Sequence, residues 1–275
     1  MNPLNGLNRL NCSSRSSRVV HSSEAMERNK ASDMDDPDSK IAALIADLEH
    51  SDKPKIRAAV DELIPLAQNS SNLRTRLNEL LNDPQRQHHW PVAYILGHLP
   101  QPSGAVVRTL LDGLDHREPD IRWAIALLLV GMAKTEVGLV KLLIELCAAG
   151  TSNQKRMAVY CIRDLNLTDS LSLLTLLKTL EDMDPSVRVA AATSLKTRGD
   201  IDASGKNSLL QVFSNDPEPK VRNATAMTLA QMGSPSEEFM RALRKASESE
   251  NAQIKKAASA ALALLEKKRS APPGS

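Results

Sequence analysis

Val221-Arg222-Asn223-Ala224-Thr225-Ala226-Met227-Thr228-Leu229-Ala230-Gln231-Met232-Gly233 is the stretch that decides the fold, because the chain repeats it. Ile121-Arg122-Trp123-Ala124-Ile125-Ala126-Leu127 opens a close copy, and Val187-Arg188-Val189-Ala190-Ala191-Ala192-Thr193 opens another. With the arginine as position zero, the equivalent residues along the chain are Arg57, His89, Arg122, Lys155, Arg188, Arg222 and Lys255. The intervals are 32, 33, 33, 33, 34 and 33 residues, too regular for chance. A fixed period of this length marks a repeat architecture, in which one unit cannot bury its apolar face alone and a stack of units can.

The residues around position zero read as the start of a helix. Pro54, Pro119, Pro185 and Pro219 each stand three residues ahead of it. Proline suits the first helical turn, where its missing N–H is not needed. Acidic residues in the same turn favour the positive end of the helix dipole. Small residues at plus two and plus four let neighbouring helices approach, and apolar residues at plus seven and usually plus ten complete a buried stripe. Each unit also has a preceding Leu-rich helix, as in Ile41-Ala42-Ala43-Leu44-Ile45-Ala46-Asp47-Leu48 and the segment from Leu171 to Leu180. The expectation is an all-α, right-handed α-solenoid of about seven two-helix repeats over residues 37–269. A disordered Ser-, Asn- and Arg-rich segment (1–36) would precede it and a loose tail (270–275) would follow. Pro65, inside the second helix of the first unit, is expected to kink that helix or end it early.

Composition agrees. Apolar residues make up 41% of the 275-residue chain and aromatic residues 2%, so Ala, Leu, Ile, Val and Met must build the core. Residues 1–32 hold five basic side chains (Arg9, Arg15, Arg18, Arg28, Lys30) and two acidic ones, which leaves 30 basic and 31 acidic residues for 33–275. A near-neutral repeat region argues against non-specific nucleic-acid binding, which needs a basic excess. No apolar run is long enough to span a membrane. Residues 1–23 faintly resemble a mitochondrial transit peptide; the alternatives are a disordered leader or an extension ahead of a start at Met26. Cys12, Cys147 and Cys161 form no Cys-x-x-Cys pair, and two buried thiols with one tail thiol fit a reducing, cytoplasmic setting.

The Asp-Pro-x-x-Val-Arg-x-x-Ala pattern resembles the HEAT-like repeats, in particular the short variety found in phycobilin lyases. The resemblance implies the solenoid fold. It leaves function open, since HEAT-like proteins include scaffolds, lyases, hydroxylases and DNA-repair proteins. The HEAT-like deoxyhypusine hydroxylases bind iron through His-Glu dipeptides; this chain has none, only Glu49-His50 and His88-His89. No metal and no cofactor is therefore expected. No Gly-x-Ser-x-Gly, phosphate loop or His-Glu-x-x-His occurs either, which argues for binding rather than chemistry.

The candidate site comes from the register. If the second helices line a concave face, positions plus one, plus five and plus nine are exposed there. Trp90 and Trp123 fall at plus one, Tyr94 and Tyr160 at plus five, which places four of the six aromatic residues on one stripe. Trp90, Tyr94 and His98 should form one ridge, Trp123 and Leu127 the next, and Arg156, Tyr160 and Asp164 a third. Rings with polar tips flanked by arginine resemble a protein-binding hot spot. The alternative is that both tryptophans pack between repeats. The position-zero cations have two readings as well: a ladder with turn carboxylates such as Asp52, Glu118, Asp184 and Asp216, or a basic track along the groove. The expected function is a monomeric, non-catalytic scaffold for a protein partner. The resemblance supplies two alternatives, a tetrapyrrole-handling protein like the phycobilin lyases and a DNA-repair protein.

Overall fold

In a computed structural model, residues 37–198, 201–232 and 235–270 are described. They form fourteen helices and no strand. They divide into two compact units between residues 63 and 64. The expected leader over 1–36 and nearly all of the expected tail lie outside the described residues.

The first unit holds α1 (Pro37–Asp47) and most of α2 (Lys53–Asn69). Ile45, Leu48, Ile56, Ala59, Val60 and Leu63 are its buried residues, and Lys40 pairs with Glu62 at 2.7 Å on its surface. Pro65 does not end α2, which continues to Asn69. The carbonyl that its ring deprives of a partner is that of Asp61, an exposed residue, so water can replace the lost bond.

The second unit is a stack of helical hairpins: α3 (Ser71–Leu81) with α4 (Trp90–Gly97), α5 (Gly104–Gly113) with α6 (Pro119–Ala133), and α7 (Val137–Ala149) with α8 (Ser152–Leu165). Then follow α9 (Ser170–Thr179) with α10 (Pro185–Leu195), α11 (Ala203–Asn215) with α12 (Pro219–Met232), and α13 (Glu237–Ser247) with α14 (Ala252–Ser270). Five of the six first helices start with side-chain caps: the Ser70, Ser103, Asp169, Asp202 and Ser236 oxygens each accept a backbone N–H from the first turn, while α7 starts without one. Each second helix packs along the second helix of the next hairpin, while the first helices stand further apart. Small residues at plus four permit this approach. The side chains at plus six reach across it, Cys161 to the Ala126 carbonyl (3.7 Å) and Thr228 to the Ala192 carbonyl (2.8 Å).

The turns before α4, α6, α10, α12 and α14 are built by a side chain six residues ahead of position zero, a place that Ala149 takes before α8. Asp83, His116, Asp182, Asp216 and Ser249 each accept the backbone N–H two residues on, at 2.9–3.2 Å. Position zero then closes the turn from the other side. His89 Nε2 bonds the Asp83 carbonyl at 2.8 Å. Arg122 Nη1 donates to the carbonyls of His116 and Arg117, and Arg188 Nη1 to those of Asp182 and Met183.

The ladder is present in part: Asp216 takes part as expected, while Asp182 stands in a rung where Asp184 was expected. Lys155 pairs with Asp182 of the next turn at 2.8 Å, and Arg188 holds Asp216 of the next turn with two bonds, at 2.7 and 2.9 Å. Asp184 takes no cation. It accepts the Ser152 hydroxyl of the preceding hairpin and caps α10 by accepting the Ser186 hydroxyl (2.6 Å) and N–H (2.7 Å); these bonds, Ser152 first, hold its carboxyl at about 2. Glu118 lies 3.7 Å from the exposed Arg117, and Arg222 donates to the Phe213 carbonyl.

Cys147 on α7 and Cys161 on α8 are buried free thiols. Burial pushes both up to about 12; Asp164 and Cys147 raise Cys161 further, and Lys155 pulls Cys147 slightly back. At pH 8 only about one thiol in 10⁴ is then ionised. In a Cys12→Ser chain, a disulfide reagent at pH 8 is expected to label neither thiol in the native state and both in denaturant. Full labelling within minutes under native conditions would contradict this burial.

Candidate binding surface

The stripe residues sit on α4, α6 and α8. Their exposure follows from the register: with plus four, seven and ten turned into the stack, the plus one, five and nine side chains turn out of it. Trp123 is 40% exposed and Leu127 is 63% exposed, whereas Trp90, Tyr94, Tyr160 and Arg156 are half-buried and His98 and Asp164 are exposed.

The rings divide into three contacts. Trp123 stacks on Tyr160 across the α6–α8 interface, with centroids 5.1 Å apart and planes 18° from parallel. Tyr94 meets His98, the residue that caps the end of α4, at 4.7 Å, and the His98 Nδ1 lies 2.8 Å from the Tyr94 carbonyl. Trp90 meets His116 edge-on at 5.9 Å, so its ring packs against the α5–α6 turn. The third ridge is assembled differently from its sequence reading. Arg163, not Arg156, covers the Tyr160 ring at 4.9 Å and pairs with Asp164 at 2.7 Å, while Arg156 donates to Asn153. Arg163 stands three residues after Tyr160, a helical neighbour spacing that already pointed to it. Nothing in the sequence signalled His116 as a ring partner, since its place is set by the turn.

Between the C-terminal ends of α4 and α6 lies a cleft of about 500 Å³. Tyr94, His98 and Leu127 from the stripe line it, together with Leu128, Met132 and Glu136. Its lining mixes apolar side chains with the polar groups of His98, Gln101, Thr135 and Glu136, which suits a side chain of a partner or a small ligand. The exposed Leu127 and the Trp123–Tyr160 stack continue its apolar surface onto α8. Among the described residues, no group of three or more His, Cys, Asp or Glu side chains is placed to share a metal ion, and no helix is long and apolar enough to cross a membrane.

Residues 207–273 match the family model of HEAT repeats. No curated protein matches the chain. Solved structures similar to it include human deoxyhypusine hydroxylase in complex with glycerol, at 14% identity over 83% of this chain and 85% of that one, with a TM-score of 0.39. An engineered protein is similar at 17% identity over 83% and 97%, TM-score 0.43. A designed armadillo repeat protein is similar at 16% identity over 82% and 99%, TM-score 0.40.

Proposed function

We propose that this HEAT-repeat chain is a non-catalytic interaction module that holds a protein partner along its second-helix layer. The contact would centre on Trp123, Tyr160 and Leu127 and extend to Tyr94 and His98 at the cleft, with Trp90, Arg156 and Asp164 at the rim. One observation carries the reading: in a chain with six aromatic residues, an indole stacked on a phenol stays 40% exposed beside a leucine that is 63% exposed. Apolar side chains left in water next to one another favour a partner that covers them. Tryptophan, tyrosine and arginine are the residues that most often dominate such contacts. The closer packing of the second helices supports a face that curves inward on their side, which lengthens the track a partner can follow. Buried, unionised thiols fit a reducing cytoplasm.

Affinity capture with wild-type and Trp123→Ala chains tests the reading. Trp123→Ala is expected to weaken partner binding at least about 30-fold, as loss of a hot-spot side chain does. Its midpoint of unfolding should fall by a few degrees, because the indole also stacks on Tyr160 across the α6–α8 interface, so binding is compared where both chains are fully folded. The double variant Trp90→Ala/Trp123→Ala should bind no more weakly than Trp123→Ala by itself if Trp90 only supports the turn. Equal recovery of every partner by wild type and Trp123→Ala would remove the stripe from the function.

A further inference from the structure

Arg122 and Arg188 occupy the same repeat position and fold onto their own turns in the same way. Nη1 of each donates to two successive turn carbonyls, His116 and Arg117 for the first, Asp182 and Met183 for the second. Two bonds from one nitrogen to fixed carbonyls orient the planar guanidinium, so the Nε edges of both residues face the turn of the following hairpin. At Arg188 that edge is filled: Nε and Nη2 hold the two oxygens of Asp216. At Arg122 the residue equivalent to Asp216 is Ala149, and Nε, buried in a side chain only 8% exposed, makes no hydrogen bond.

The surroundings suit an anion. Gln154 Nε2 donates to the Leu111 carbonyl and Asn153 Nδ2 to Asp115, which holds the N-terminus of α8 against the α5–α6 turn beside Arg122. The positive end of that 14-residue helix adds its dipole to the guanidinium charge. Ala149 is exposed and Gly150 half-buried, so the position that Asp216 fills at Arg188 carries no polar side chain here. A buried guanidinium N–H without an acceptor is costly, and a carboxylate with two parallel oxygens fits that edge.

We propose that Arg122 and the N-terminus of α8 form a carboxylate-binding site, in which a ligand carboxylate takes the place that Asp216 takes at Arg188. The site lies at the turn, outside the Trp123–Tyr160 stripe, so a small carboxylate bound there does not compete with a partner on the stripe.

Arginine Nε–Hε signals of the full-length protein test the proposal, with Arg122 and Arg188 assigned through bonds and sodium acetate titrated against sodium chloride at equal ionic strength. The Arg122 signal is expected to move along a saturating curve while the Arg188 signal, already bonded to Asp216, stays in place. The blocked peptide acetyl-Ala-Asp-Ala-amide then separates the sources. Tighter binding than acetate assigns an acidic side chain of a protein; equal or weaker binding assigns a small free carboxylate. An Arg122 signal that does not move, or that drifts linearly in step with Arg188, overturns the site.

Discussion

Asp216→Ala is expected to destabilise the second unit by about 3–5 kcal/mol, the cost of leaving a buried cation without its partner. The side chains of Arg188 and Asp216 are 10% and 5% exposed and share two bonds at 2.7 and 2.9 Å. The Asp216 carboxylate also raises the Arg188 guanidinium above its ordinary value, as a hydrogen-bonded counter-charge should. Alanine removes both bonds, and it also removes the oxygen that accepts the Glu218 N–H at the start of α12. At about 2–4 °C per kcal/mol for a chain of this size, the midpoint should fall by roughly 6–20 °C. The double variant Asp216→Ala/Arg188→Met separates orphaned charge from lost packing. It should be more stable than Asp216→Ala, because no uncompensated charge remains buried. Urea unfolding of the three chains decides the matter. A loss under about 1 kcal/mol for Asp216→Ala would mean that the rung is solvated rather than buried.

The second large effect lies in the same hairpins. Phe213 and Phe239 are the two phenylalanines of the chain, and they meet edge to face with centroids 5.8 Å apart and planes at 81°. They are 2% and 3% exposed, so the pair joins α11 to α13 in a core otherwise made of small aliphatic groups. Phe213→Ala should cost about 3–5 kcal/mol through lost burial and the cavity left behind. Phe213→Leu keeps most of the volume and should cost under about 1.5 kcal/mol. Hydrogen exchange adds a spatial check, because repeats stabilise chiefly their neighbours. Faster exchange in Phe213→Ala should concentrate in α11 to α14 and leave α3 to α6 close to wild type. Uniform acceleration along the whole unit would instead show that the repeats unfold as one body.

The one-dimensional sequence determined the repeat, its 32–34-residue period, the two-helix unit and the faces of the second helices. These features depend on local rules: a helix turns once per 3.6 residues, so the Arg-anchored register fixes which positions point into the stack and which point away. The exposed Trp123 and Leu127 and the buried Ala126, Leu129 and Met132 on α6 follow from that register alone. What each side chain touches in the next hairpin was decided by the tertiary structure. Asp182 and Asp184 are two residues apart in one turn, yet one takes Lys155 and the other caps α10. Arg163 covers Tyr160 where Arg156 was expected, and Trp90 turns to His116. Lys155 with Asp182 and Trp90 with His116 join residues 27 and 26 positions apart through turns whose backbone path no helical periodicity encodes. The same reason hid Arg122: its register position is that of Arg188, and only the folded structure shows that its Nε is buried without a hydrogen-bond acceptor.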